Sequence, residues 1–227
     1  MKNLLFTIVL ALMYTTSAQA QTWIASCGSK NWSKEFFKPN YTFTVRKGEV
    51  GGCDSDKTAR HSWQFSERQE VKQVPEIYSG SKWEWSATVD IDRSCKPAER
   101  STIVQVHDGG KHINTGPPSF LAVNYSNHFR GQDGPFVNGS SYDNGKRKND
   151  YGDFKVPNKP FHVKMIVDWK AGKSVKTQYW IDGKFLGYED WKDNGIERLF
   201  FKFGVYRINS NCDINQTYTG VMLRKLK

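Results

Sequence analysis

In the stretch FFKFGVYR, Phe200 to Arg207, a lysine, a glycine and a tyrosine fall on every second position of an otherwise apolar run. Period two belongs to a β-strand, whose successive side chains point to opposite faces. Leu199, Phe201, Phe203 and Val205 then share one face, which reads as core. Lys202, Gly204 and Tyr206 share the other, which reads either as solvated surface or as the floor of a site. A glycine between the two polar side chains would leave that floor open where a ligand must lie.

Runs of the same period recur through the chain: Tyr41 to Arg46, Trp63 to Val71, Lys82 to Ile91, Ser101 to Val106, Phe120 to Tyr125, Phe161 to Trp169, Lys176 to Ile181 and Tyr218 to Leu226. Turn signals separate them, among them Gly51-Gly52, Gly116-Pro117-Pro118, Asn138-Gly139 and Asp182-Gly183. Helical spacing is absent from every long segment, although Trp191 to Leu199 has room for a short helical turn. Many short strands with turn-rich connections predict an all-β sandwich or jelly roll. The clearest local signal is the hairpin from Lys176 to Gly187, with Asp182-Gly183 at its tip. From Asn127 to Pro160 the chain is rich in Gly, Asn, Asp, Ser and Lys, which predicts long loops bordering a site.

The first twenty residues carry Lys2, an apolar run from Leu4 to Met13, and small residues closing on Ala18-Gln19-Ala20. This is the pattern of a secretory signal peptide (residues 1–20), and the apolar run is too short to span a bilayer. Residues 21–227 contain no linker or internal repeat, so one domain is expected, as a secreted (extracellular or periplasmic) protein without a membrane span. Four cysteines, Cys27, Cys53, Cys95 and Cys212, are too widely spaced for a zinc knuckle. In an oxidising compartment they predict two disulfides, for which three pairings stay open.

The formal net charge is +10. Clustered Lys and Arg attract polyanions, either nucleic acid or acidic polysaccharide. The export signal, with no helix-turn-helix or RNP-like pattern, points to an acidic polysaccharide partner and away from nucleic acid. A monomer is expected.

Two further runs carry polar faces. In RSTIVQVHD, Arg100 to Asp108, strand geometry aligns Ile103, Gln105 and His107, the last two about 7 Å apart. In SERQEV, Ser66 to Val71, it aligns Ser66, Arg68 and Glu70. A sheet joining these strands to Lys202 and Tyr206 would hold a basic floor rich in hydrogen-bonding groups. β-Elimination from a uronic acid needs such a set. Removing the C5 proton sends negative charge toward the carboxylate, so Arg and Gln that neutralise it lower the barrier. A His or Tyr takes the proton, and a Tyr hydroxyl protonates the departing glycosidic oxygen. Hydrolysis would need two carboxylates in opposed roles, whereas Glu70 and Glu84 have no evident partner for that work.

The motifs QVH (Gln105 to His107) and FFKFGVYR (Phe200 to Arg207) resemble paired signatures of β-jelly-roll polysaccharide lyases, the alginate lyases with a Q-(I/V)-H strand and a Y-F-K-A-G-V-Y strand. Phe203, Arg207, YTFTVRKGE (Tyr41 to Glu49) and ERQEV (Glu67 to Val71) are more similar to the glucuronan lyase and heparin lyase I branch. Arg68-Gln69-Glu70 matches a third alginate lyase motif, R-(S/T)-E, with Gln at its middle position. The resemblance implies a concanavalin-like jelly roll with a concave substrate groove, and a lyase that acts on a 1,4-linked polyuronate such as glucuronan or alginate without a required cofactor. It implies that Arg68 and Gln105 neutralise the carboxylate, that His107 assists or acts as base, and that Tyr206 is the acid or both acid and base. Lys202, with Arg100, Glu70 and Arg207, would bind substrate. His61 is the rival base, because glucuronan-type lyases use a histidine from an earlier strand.

Each of these residues also has a plain reading. Tyr206 and Lys202 suit a solvated strand face, Gln105 and His107 a solvated pair, and Arg68 with Glu70 a surface ion pair. Trp83 and Trp85 read as core, with a sugar platform as the functional alternative. Asp54 and Asp56 offer hard oxygen ligands to a structural calcium ion, though they also suit a solvated acidic turn. Two rival functions follow: a non-catalytic carbohydrate-binding sandwich, and a glycoside hydrolase.

Overall fold

In a computed structural model of the chain, the residues described are 22–26, 40–48, 66–93, 100–109, 119–124, 136–143, 146–193, 195–208 and 212–226. Strands and their connections make up these residues, with no helix among them. The strands are β1 (Thr22–Ala25), β2 (Asn40–Val45), β3 (Ser66–Val74), β4 (Ser81–Ile91), β5 (Arg100–Asp108), β6 (Ser119–Asn124) and β7 (Phe136–Asp143). The series continues with β8 (Lys146–Lys155), β9 (Phe161–Lys170), β10 (Ser174–Ile181), β11 (Lys184–Lys192), β12 (Leu199–Ile208) and β13 (Ile214–Lys225). A seven-stranded sheet runs β1-β3-β12-β5-β6-β7-β8, and a six-stranded sheet runs β11-β10-β9-β4-β13-β2. Every pairing is antiparallel. The two sheets face one another as a jelly-roll sandwich, with one aromatic and aliphatic core between them.

The alternating runs form strands because alternation lets each sheet bury one face and wet the other. In β10, Val175, Thr177, Tyr179 and Ile181 are buried, and the residues between them are half-buried. In β12, Leu199, Phe201, Phe203 and Val205 are all 0% exposed, as their spacing predicts. The ring of Phe203 is a hub, 4.8 Å from Trp23, 5.0 Å from Tyr218 and 5.1 Å from Tyr41, centroid to centroid. Trp85 is wholly buried and Trp83 packs against the core, so these two tryptophans are core residues. At the tip of the β10–β11 hairpin Asp182 and Gly183 have φ of 47° and 77°, the paired positive values of a tight two-residue turn.

Three local expectations give way. The polar segment read as loops contains β7 and β8, which complete the seven-stranded sheet as a hairpin. Its few apolar residues are placed to anchor it, with Val137 opposite Phe154 in register. Asn138-Gly139 lies inside β7, where the register shifts on either side of Gly139, so it is a bulge and not a turn. Trp191 and Lys192 end β11, and residues 195–198 are not helical. Cys27, Cys53, Cys95, His61, Asp54 and Asp56 lie outside the described residues.

Candidate active site

β12 lies between β3 and β5, and its register sets the floor. On the β3 side Tyr206 is opposite Arg68, Gly204 opposite Glu70 and Lys202 opposite Lys72. On the β5 side Lys202 is opposite Gln105, and Phe200 is opposite His107. Three strands thus bring Arg68, Glu70, Gln105, Lys202 and Tyr206 to one patch of one sheet face. Lys202 is 5% exposed, Gln105 3% and Glu70 1%, so this patch is a sunken floor and not a wetted surface.

Glu70 joins the parts. Its Oε1 accepts a 2.5 Å hydrogen bond from Gln105 Nε2, and its Oε2 is 3.6 Å from Arg68 Nη1. The Arg68 guanidinium in turn lies 4.3 Å over the Tyr206 ring. Glu70 and Gln105 sit on strands flanking β12, so their bond crosses β12 beside Gly204. The glycine is required by this crowding. A Cβ at Gly204 would stand 2.3 Å from the Gln69 carbonyl oxygen and 2.8 Å from the Glu70 Cα, at a φ of +134° that side chains rarely adopt. The glycine therefore admits the neighbouring strand's backbone, which corrects the expectation that it holds space for a ligand.

The ladder between β12 and β5 ends at the pair Phe203 and Val104. Beyond it the hydroxyl of Tyr218, reaching from β13 in the other sheet, lies 2.8 Å from the Ile103 carbonyl and 3.0 Å from the Gly204 carbonyl, so one O–H proton serves both. The same hydroxyl accepts from the Gly204 N–H at 3.2 Å and from the Gln216 amide. Ile103 departs from its expected face. The β5–β6 register shifts between Thr102 and Val104, and Ile103 is fully buried in the core. Gln105 and His107 lie beyond that bulge.

His107 stands at the other end of the floor. Tyr206 is six residues along β12 from Phe200, the residue opposite His107, which amounts to about 20 Å of strand. The His107 Nδ1 is 3.0 Å from the Asp108 carbonyl oxygen and 3.1 Å from Asp108 Oδ1. Both neighbours only accept, so Nδ1 carries a proton. The imidazole stacks on Phe200 at 5.5 Å, and the Lys72 and Lys202 ammonium groups lie 5.4 Å and 5.7 Å from that ring. Phe200 and Lys72 were not singled out in the sequence. The signal for Phe200 was its parity, which puts it on the same face as Lys202 and Tyr206.

The remaining candidates lie elsewhere. Arg100 opens β5, five residues before Gln105, and Arg207 pairs through its backbone with Glu67; the side chains of both lie outside the description. Glu84 is on the six-stranded sheet, held by Arg224 at 2.8 Å. Among the described residues no second carboxylate faces Glu70 across the floor, and no cluster of three His, Cys, Asp or Glu side chains could hold a metal.

No protein-family profile and no curated protein sequence matches the chain. Solved structures do. The alginate lyase AlyC3 in complex with dimannuronate is similar with a TM-score of 0.57 at 14% identity, over 82% of this chain and 90% of that one. The endo-β-1,4-glucuronan lyase of the fungus Trichoderma reesei is similar with a TM-score of 0.55 at 11% identity, over 91% and 87%. The alginate lyase of Alteromonas sp. 272 is similar with a TM-score of 0.53 at 15% identity, over 90% and 94%. The sandwich and these likenesses agree: the chain has the β-jelly-roll fold of the alginate and glucuronan lyases.

Proposed function

We propose that the protein is a secreted polysaccharide lyase that cleaves a 1,4-linked polyuronate by β-elimination. The observation that carries this is the floor patch in which Glu70 links Gln105 to Arg68 and Arg68 lies over Tyr206. Arg68 and Gln105 neutralise the uronate carboxylate as charge develops on it. Glu70 is a positioning residue that orients both from below. Lys202 binds a neighbouring part of the chain. The Tyr206 phenol oxygen takes up the C5 proton and a proton passes from it to the glycosidic oxygen as the C4–O bond breaks and the C4–C5 double bond forms.

One residue can do both jobs only when the C5 proton and the leaving oxygen lie on the same face of the sugar. That holds for glucuronate and mannuronate, whereas guluronate requires anti elimination. The distance along β12 between Tyr206 and the His107 end supports this division, with His107 binding a more distant sugar. His61 remains the rival base. The mechanism calls for no cofactor. Secretion and paired cysteines belong to the same proposal.

The test is to incubate the protein with polyglucuronate, polymannuronate, polyguluronate and heparin while following the absorbance of the unsaturated uronate. Absorbance should rise on polyglucuronate or polymannuronate and stay low on polyguluronate. Binding without any rise would replace the lyase with a carbohydrate-binding module. Reducing ends released without absorbance would mean hydrolysis.

A further inference from the structure

Exposed aromatic rings lie on another part of the molecule from Trp83 and Trp85. On the outer face of the six-stranded sheet, away from the floor patch on the seven-stranded sheet, Phe185 is 54% exposed and Tyr188 47%. Three residues apart, they would point to opposite faces of a regular strand. The β10–β11 register shifts between Tyr179 and Trp180, leaving Leu186 as an extra residue, and this bulge turns both rings outward. Phe185 then packs beside Trp180 at 5.3 Å, while Leu186 is tucked against the core. The two outward rings of β11 are opposite Gln178 and Trp180, which are about 7 Å apart along β10.

Lysines adjoin both ends of this strip. Lys164 Nζ is 4.3 Å from the Trp180 ring centroid, and Lys176 Nζ is 4.1 Å from that of Tyr188. Neither makes an ion pair among the described residues, whereas Asp168 and Glu84 on the same face are engaged by Lys82 and Arg224. Lys176 is opposite two carboxylates in the ladders, Asp190 in β11 and Asp168 in β9.

We propose that this strip is a second binding surface, for a segment of acidic polysaccharide, on the side of the sandwich opposite the groove. Sugar rings stack on Tyr188 and on the Trp180–Phe185 pair, and the two ammonium groups swing from the rings to the sugar carboxylates. A polymer held here stays near the groove between encounters, which raises its effective concentration there. The choice of an acidic chain as ligand rests on the function proposed above; the strip itself does not.

The test is electrophoresis through gels containing polyglucuronate or alginate, with neutral dextran as the control. Two proteins are compared with the parent, Phe185→Ala/Tyr188→Ala and Lys164→Gln/Lys176→Gln. Each should bind the acidic gels about five-fold more weakly while cleaving a short oligouronate at the parent rate. Undiminished retention of the lysine variant, or equal retention of the parent on dextran, overturns the proposal. If the aromatic variant fails to fold, the lysine variant decides, because it removes charge with little change in packing. Absence of cleavage by the parent would sink the lyase reading alone, since retention is measured without turnover.

Discussion

Tyr206 can be separated from its surroundings by a single atom. Tyr206→Phe keeps the ring under Arg68 and deletes the hydroxyl, so turnover should fall by about 100-fold or more while the melting temperature stays within a degree or two. Near-parent turnover would remove it from the chemistry. Glu70 behaves differently, because its carboxylate is buried and shared between two partners. Glu70→Ala should cost about 2 kcal/mol in denaturant unfolding and lower activity through misplacement of Arg68 and Gln105. A variant as stable as the parent would mean that the buried carboxylate is not the strut described. At Gly204 an alanine meets the neighbouring backbone, which cannot swing aside as a side chain can. Gly204→Ala should therefore lose at least about 2 kcal/mol and show a disturbed β3–β12 ladder in amide exchange.

The element that organises the site is β12, which the opposite sheet steadies. The Tyr218 hydroxyl takes up backbone groups of Ile103 and Gly204 where the β5–β12 ladder stops. Tyr218→Phe leaves those carbonyls without that donor and should cost about 1–3 kcal/mol, read as a lower denaturant midpoint at unchanged slope. Such a role was not legible beforehand, because it depends on which strand of the far sheet lies under which gap. β12 itself was legible, down to the residues of each face, since strict alternation leaves only one way to bury four apolar side chains. The bulge at Ile103 was not, because a residue count cannot reveal where a ladder slips. The β7–β8 hairpin was hidden for a related reason. The hairpin ends the sheet, with β8 at its edge, and is held by backbone ladder bonds and a few apolar anchors such as Val137 and Phe154, so it lacks a strong hydrophobic pattern.

At the scale of the molecule, one core lies beneath both outer sheet faces. Phe203 supports the floor from beneath and touches aromatic rings from β1, β2, β4 and β13. Substitution of a ring so placed by alanine should cost about 3–5 kcal/mol and expose the fold to proteolysis before it alters substrate choice. The burial of Lys202 has a further consequence, in ionic strength. An ammonium 5% exposed is reached poorly by mobile ions, whereas charges at the half-buried Lys164 and Lys176 are screened over about 10 Å at 0.1 M salt. Raising salt should therefore strip long chains from the outer strip while short oligouronates keep most of their affinity for the groove. The Michaelis constant for polymer would then rise with salt more steeply than that for oligomer, and the two would converge once the lysines of β9 and β10 no longer hold the chain.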